Sequence, residues 1–425
     1  MNRIIQVSKV AQLNLSTYRK DEFPEIVKYL DTSSLTKNKI DGFQILNSNL
    51  DIIPSRAQRK VKLNTILFST VRPNQEHYGI IEKDLEDIVV STGFTTIDVI
   101  DNELNPKYLF YLLTQPHITE YLHTIATNSV SAYPSISPND LGNLKFRIPE
   151  LPNQQKIASV LSALDSKIEL NNRINAELEA MAKTLYDYWF VQFDFPDKNG
   201  KPYKTSGGKM VWNEELKREV PEGWEVKKMF SALKIGSGFP FDSDSYLEAG
   251  KFKIITIKNV QELRLETGSV DCTNIIPSNL PEFCKLQIGD ILISLTGNVG
   301  RICLVTEINL LLNQRVGKFL CSKIYKNFMY LLFQRNEERN RLENIATGSS
   351  QKNLSPIDAT NVLTLLPSDS ILTKFDLLID PIIDKTIIIN KENQKLTELR
   401  DWLLPMLMNG QVKVGEGKEV LKAAE

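Results

Sequence analysis

The sequence predicts an α+β protein. Two domains of mixed α/β structure are separated by two long helices that pair as an antiparallel coiled coil, and the whole forms a pseudo-twofold internal repeat. Three observations predict this. The stretch 153–195 carries a seven-residue apolar repeat with no proline or glycine. A second run, 374–410, carries the same alternation. Short segments upstream of each run match one another in order, offset by about 220 residues.

In the first run Ile157, Leu161, Leu164, Ile168, Asn171, Asn175, Leu178, Ala182, Leu185 and Trp189 alternate four and three apart, and eight of the ten are apolar. At about 1.5 Å per residue this is a helix of about 40 residues, roughly 60 Å long. So narrow a seam has to face another helix. In the second run Phe375, Ile379, Ile382, Thr386, Ile389, Asn393, Leu396, Arg400, Leu403 and Leu407 repeat the pattern with seven of ten apolar. The helix-pairing candidates are Ile157, Leu161, Leu164, Ile168, Leu178 and Leu185 on the first run, and Ile382, Ile389, Leu396 and Leu403 on the second. Pro381 falls inside the second run and predicts a kink there, or a helix that starts at Asp380-Pro381.

Both runs follow a Leu-Pro step, at Leu151-Pro152 and Leu366-Pro367. Upstream, Ile125-Ala126-Thr127-Asn128-Ser129 resembles Ile345-Ala346-Thr347-Gly348-Ser349, and Tyr111-Leu112-Leu113 resembles Tyr330-Leu331-Leu332. The strand-like segments 63–69 and 286–294 also correspond. The resulting division is a first domain (1–150), a central long helix (151–195), a connection rich in Lys, Gly, Pro and Ser (196–219), a second domain (220–366), a distal long helix (367–412) and a charged tail (413–425). A twofold-like chain with two similar domains suits a target with two similar half-sites, and duplex DNA is the commonest such target.

The chain of 425 residues is long enough for two or three domains with cores of their own. Its formal net charge of -1 argues against a polycation that coats nucleic acid, but not against local basic patches. The four cysteines, Cys272, Cys284, Cys303 and Cys321, form no C-x-x-C pair, and His77, His117 and His123 form no metal-ligand pattern. Buried free thiols are expected. With no apolar run near 18 residues and no signal peptide, the expected location is cytoplasmic, without a membrane partner.

Catalytic machinery is missing from the motifs. Asn105-Pro106-Lys107-Tyr108 lacks the second proline of an amino-methyltransferase tetrapeptide and reads as a helix start. Gly236-Ser237-Gly238 is only part of a dinucleotide loop, and no G-x-x-x-x-G-K-[ST] loop is present. No catalytic, cofactor-binding or metal residue is assigned. DNA contact fits better, since phosphates take Lys and Arg while base edges take Arg, Lys, Asn, Gln, Ser and Thr on supported loops. The candidates in the first domain are Arg56, Arg59, Lys60, Arg72, Asn128, Ser129 and Tyr133. Those in the second are Arg301, Arg315, Ser349, Gln351, Lys352 and Asn353.

The stretch from Leu151 to Phe190, together with VPEGWEV (Val220–Val226), GDILIS (Gly289–Ser294), TGSSQKNLS (Thr347–Ser355) and KLTELRDWLLPMLMNG (Lys395–Gly410), resembles the specificity subunits of type I restriction–modification systems. The resemblance implies two target-recognition domains, each reading one half of a bipartite site in double-stranded DNA. It implies that the paired helices act as a ruler for the unread spacer and dock two methyltransferase subunits, and that restriction/translocase subunits join the complex. S-adenosylmethionine, ATP and Mg2+ are then expected on those partners and not on this chain, which is non-catalytic. A partner-binding face on the helices is expected to expose Tyr186, Tyr188 and Phe190. The competing expectations are a two-headed coiled-coil scaffold that binds proteins instead of DNA, and a self-sufficient DNA enzyme with an unrecognised site.

Overall fold

The computed structural model describes residues 3–19, 22–83, 86–128, 134–268, 270–348 and 351–415. The chain divides into two compact units, Met1–Ser166 with Leu399–Glu425, and Lys167–Glu398. Each long helix contributes residues to both.

The first unit holds two four-stranded sheets. One runs Gln44–Asn47, Ile26–Leu30, Ile88–Ser91, Ala57–Arg59, and the other runs Ala11–Leu13, Phe94–Val99, Ile66–Ser69, Tyr78–Ile80. The strands Ile66–Ser69 and Ile88–Ser91 are buried along their whole length, as their unbroken apolar character requires. Three helices follow, Pro106–Leu113, Pro116–Thr127 and Pro138–Gly142. Their starts are written locally. The Asn105 side chain accepts from the Tyr108 N–H, Ser137 and Asp140 form a reciprocal capping box, and proline occupies the first turn of each helix. Arg3–Gln6 pairs antiparallel with Lys145–Ile148, so the beginning and end of the domain meet.

The second unit repeats this plan strand for strand. Its sheets run Cys272–Thr273, Phe252–Ile255, Leu310–Leu312, Lys285–Leu286, and Leu233–Ser237, Val316–Cys321, Ile291–Ser294, Ile302–Leu304. The parallel strand pairing recurs at the same place, Ile26–Leu30 with Ile88–Ser91 and Phe252–Ile255 with Leu310–Leu312. Helices Lys323–Phe333, Asn336–Ile345 and Pro356–Thr360 follow, and Glu225–Lys228 pairs with Leu363–Leu366. The repeat seen as scattered sequence matches is therefore a repeat of topology. The connection is more structured than its composition suggests, since Met210–Asn213 and Arg218–Pro221 form a hairpin.

The first long helix spans Leu151–Tyr186 and passes into a π-turn at Asp187–Val191, short of the run to residue 195 that the sequence predicts. The turn carries Trp189 and Phe190 into a cluster of rings. Phe190 lies 4.7 Å from Phe375, 4.9 Å from Phe328 and 5.1 Å from Tyr186, centroid to centroid. Two of the three aromatic residues expected on an exposed partner face are thus core. Tyr186 and Phe190 are buried, and only Tyr188 is exposed. The aromatic area is too large to leave in water once the π-turn aims it inward.

The second long helix spans Asp369–Met408 without interruption, so Pro381 neither starts nor breaks it. Pro381 sits on an exposed face, where water can replace the hydrogen bond that the ring removes. The helices pair antiparallel within each unit. In the first, Asp165 meets Arg400, and Ile157 and Leu161 share a core with Leu404 and Leu407. In the second, Asn171 meets Asn393 and Asn175 meets Asn390. Ile157, Leu161, Ile382 and Ile389 are buried. Leu164, Ile168, Leu178, Leu185, Leu396 and Leu403 are half-buried.

Candidate nucleic-acid interface

Each repeat has one place where three loops are tied together by backbone hydrogen bonds, and the bonds correspond pair by pair. In the first repeat the strand Ile66–Ser69 ends at Thr70, whose N–H donates to Gly93 O at 2.9 Å. Arg72 N–H donates to Pro134 O and Ile136 N–H to Thr70 O, both at 2.9 Å. In the second repeat Leu295 N–H donates to Arg315 O at 3.1 Å, Gly297 N–H to Lys352 O at 2.9 Å and Leu354 N–H to Leu295 O at 2.8 Å. Bridges Val71–Ser135 and Thr296–Asn353 complete the two frames. The frames bring together the loop after a buried strand, the turn before the next strand and the loop ahead of a short helix. Rigid backbone beneath exposed polar side chains is what base reading needs.

In the first frame Arg72 is exposed and held at φ 47. A non-glycine residue in the left-handed region costs on the order of 1 kcal/mol. The matching position in the second repeat is Gly297 at φ 73, which adopts that conformation freely. Arg56 is also exposed, and its carbonyl accepts from Thr92 N–H at 2.8 Å, which ties it to the turn at Gly93. Lys60 binds Glu22 at 2.8 Å and lies over the Tyr18 ring. Arg59 is half-buried in its strand, and burial lowers its pKa. Asn128 caps the helix Pro116–Thr127 and is exposed. Ser129 and Tyr133 lie outside the described residues.

In the second frame Arg315, Gln351 and Lys352 are exposed. The Lys352 ammonium donates to Glu343 O at 3.1 Å. Asn353 serves as a brace, its Oδ1 accepting from Thr296 Oγ1 at 3.1 Å and its Nδ2 donating to Gln351 O at 3.2 Å. Gly348 allows the tight return before it, because a Cβ there would lie 2.3 Å from Gln351 O. Arg301 is half-buried and donates through Nη1 to Gln261 Oε1 at 2.8 Å. Ser349 lies outside the described residues. Sequence reasoning passed over Thr92 and Gln314, which take equivalent places beside Gly93 and Arg315 in the two frames, and Gln261, which accepts from Arg301. Aligning strand Phe94–Val99 on Val316–Cys321 would have exposed the Thr92/Gln314 correspondence. Gln261 carries no such signal, since only the fold brings it to Arg301.

Among the described residues, no group of three or more His, Cys, Asp or Glu side chains is placed to hold a metal ion. Cys272, Cys284 and Cys303 are buried free thiols and Cys321 is half-buried. Burial pushes the Cys321 thiol up to about 11. No described helix is long and apolar enough to cross a membrane.

Tandem α/β domains, each running into a long helix and each carrying the same loop frame, define a two-headed recognition protein. Residues 4–180 and 221–397 each match the type I restriction modification DNA specificity domain, and the chain belongs to that family with two copies of the domain. The chain is similar to the type I restriction enzyme HindI specificity subunit of Haemophilus influenzae, 27% identical over 92% of this chain and 95% of that protein. It is similar also to the MjaIX specificity subunit of Methanocaldococcus jannaschii, 27% identical over 83% of this chain and 78% of that protein. Among solved structures, the type I restriction–modification S subunit from M. genitalium shares the fold, with a TM-score of 0.52, 17% identity and 96% of each chain covered.

Proposed function

We propose that this chain is the non-catalytic specificity subunit of a type I restriction–modification complex. Each domain reads one half of a bipartite DNA site through its loop frame. The paired helices set the unread spacer and dock methyltransferase subunits, with a restriction/translocase subunit completing the complex. S-adenosylmethionine, ATP and Mg2+ belong to the partners, and the complex works in the cytoplasm, where the DNA is. The observation that carries this reading is the doubled frame. Two sets of equivalent backbone bonds present different side chains, Arg72 and Arg56 in one and Arg315, Gln351 and Lys352 in the other. One architecture with two different reading surfaces suits two half-sites of different sequence.

The test is co-expression with a cognate methyltransferase subunit, followed by base-resolution mapping of methylated adenine. The expected result is a split motif, two short blocks around a fixed gap, of which replacing residues 1–150 changes only one. Adding one heptad to both helices, about 10 Å, should lengthen the gap by about three base pairs. Assembly without any methylation pattern would favour a protein-binding scaffold.

A further inference from the structure

The seam between the long helices carries asparagine at one level, apart from the buried Thr386 and the Asp165–Arg400 pair. There the Asn171 amide donates to Asn393 Oδ1 and to Glu392 Oε2, both at 2.9 Å. The Asn393 amide donates to Asn172 Oδ1 at 2.9 Å, and the Asn175 amide donates to Asn390 Oδ1 at 2.7 Å. Asn171 is 1% exposed and Asn175 7%, so these are core positions, and Asn175 Oδ1 is buried with no partner among protein atoms. Apolar seam residues flank the level, Ile168 and Leu178 on one helix and Ile389 and Leu396 on the other. Leucine at these sites would pair the helices more tightly. Buried asparagine in a coiled-coil seam gives up stability and in return discriminates between registers, because its amide is satisfied only opposite another polar group. Here a slip of one heptad in one sense sets Asn171 and Asn175 against Thr386 and Ile383, and in the other sense against Arg400 and Thr397. Either slip breaks every asparagine–asparagine pair; the first leaves Asn175 opposite the apolar Ile383, and the second takes Arg400 away from Asp165.

We propose that this asparagine ladder is the register lock of the helix pair, and that through the register it selects the spacer length of the DNA site. The inference rests on the function proposed above. A heptad slip moves one helix along the other by about 10 Å, equivalent to about three base pairs.

The experiment uses the full-length chain co-expressed with its methyltransferase subunit. Asn171→Leu, Asn175→Leu, Asn390→Leu and Asn393→Leu are combined in one variant, and methylated adenines are mapped in variant and parent. Both half-site blocks should stay as in the parent, while at least about a tenth of the methylated sites acquire a spacer altered by about three base pairs. The variant should melt no lower than the parent. An assembled variant that keeps the parent's single spacer overturns the lock. A parent without a split motif would refute the functional reading instead, so the two failures are distinguishable. Should the fourfold variant not assemble, Asn175→Leu with Asn390→Leu removes one rung and is judged by the same readout. Loss of assembly in both variants would show that the amides are needed for pairing itself, and would also overturn the lock.

Discussion

Tyr111 and Tyr330 occupy matching places in the two repeats, each on the helix that follows the sheets, yet their surroundings differ. Tyr111 donates to Asp165 Oδ2 at 2.6 Å, and Arg400 donates to the other oxygen at 3.0 Å. Burial works against the Arg400 charge, but Asp165 and Asp401 still hold its pKa above the ordinary value. Tyr330 instead shares a small cleft with Glu179, which has no such arginine beside it. Burial, with the nearby Glu262 charge, pushes the Glu179 carboxyl up to about 7. The loop frames differ in the same way, with Arg72 at φ 47 against Gly297 at φ 73. The backbone plan was duplicated and kept, whereas the polar groups attached to it diverged. Strand pairing and apolar burial constrain every residue of a sheet, while a side chain on the frame answers only to its own contacts.

The largest effect expected from this asymmetry is at the helix ends. The first helix ends in the ring cluster of the second repeat, so Phe190→Ala should cost about 3–5 kcal/mol. Trp402, on the last turns of the second helix, is 54% exposed, and Trp402→Ala should change stability by no more than about 0.5 kcal/mol. Chemical denaturation of the two variants measures the difference, and equal losses would mean that the ends are equivalent after all.

Next is the half-buried ion pair. Arg400→Met leaves Asp165 with only the Tyr111 hydroxyl and should cost about 2–4 kcal/mol, and Asp165→Asn combined with it should recover part of the loss. Melting of the single and double variants checks the coupling.

The reading surfaces come third. In the assembled complex Arg72→Ala should weaken recognition of one half-site and Arg315→Ala that of the other, each by about 1–3 kcal/mol, or roughly 5–150-fold. Methylation of single-base variants of the target resolves the two, and an effect of one substitution on both blocks would refute independent reading.

The smallest effect concerns Glu179. Its folded pKa is raised, so between about pH 4.5 and 7 the folded chain holds a proton that the unfolded chain has lost, and stability falls as pH rises through that window. Glu179→Gln should match the parent near pH 4.5 and melt about 2–4 °C higher at pH 8. A parent and variant with parallel pH–melting curves would remove the proposed cost.

Much of this molecule was legible in its sequence because periodic burial leaves a periodic trace. The heptads at 157–189 and 375–407 disclosed two paired helices, and the ordered matches offset by about 220 residues disclosed the repeat. Strands Ile66–Ser69 and Ile291–Ser294 were readable as unbroken apolar runs, and the helix start at Asn105-Pro106 as a cap. The family resemblance added the expectation of two DNA-reading domains. Chemistry that depends on distant contacts was not readable. Pro381 looked like a kink or a helix start because local rules count its missing hydrogen bond, yet the helix runs on through it from Asp369 to Met408. Tyr186 and Phe190 looked like surface because nothing nearby in sequence announces the π-turn that buries them. Lys60 and Asn353, candidate DNA ligands by residue type, also hold Glu22 and Thr296 in the structure. Local periodicity and capping are properties of neighbours in the chain, so the sequence by itself determined the elements and their repetition. Which polar groups remain available for a partner depends on residues tens or hundreds of positions apart, and only the tertiary structure decided that.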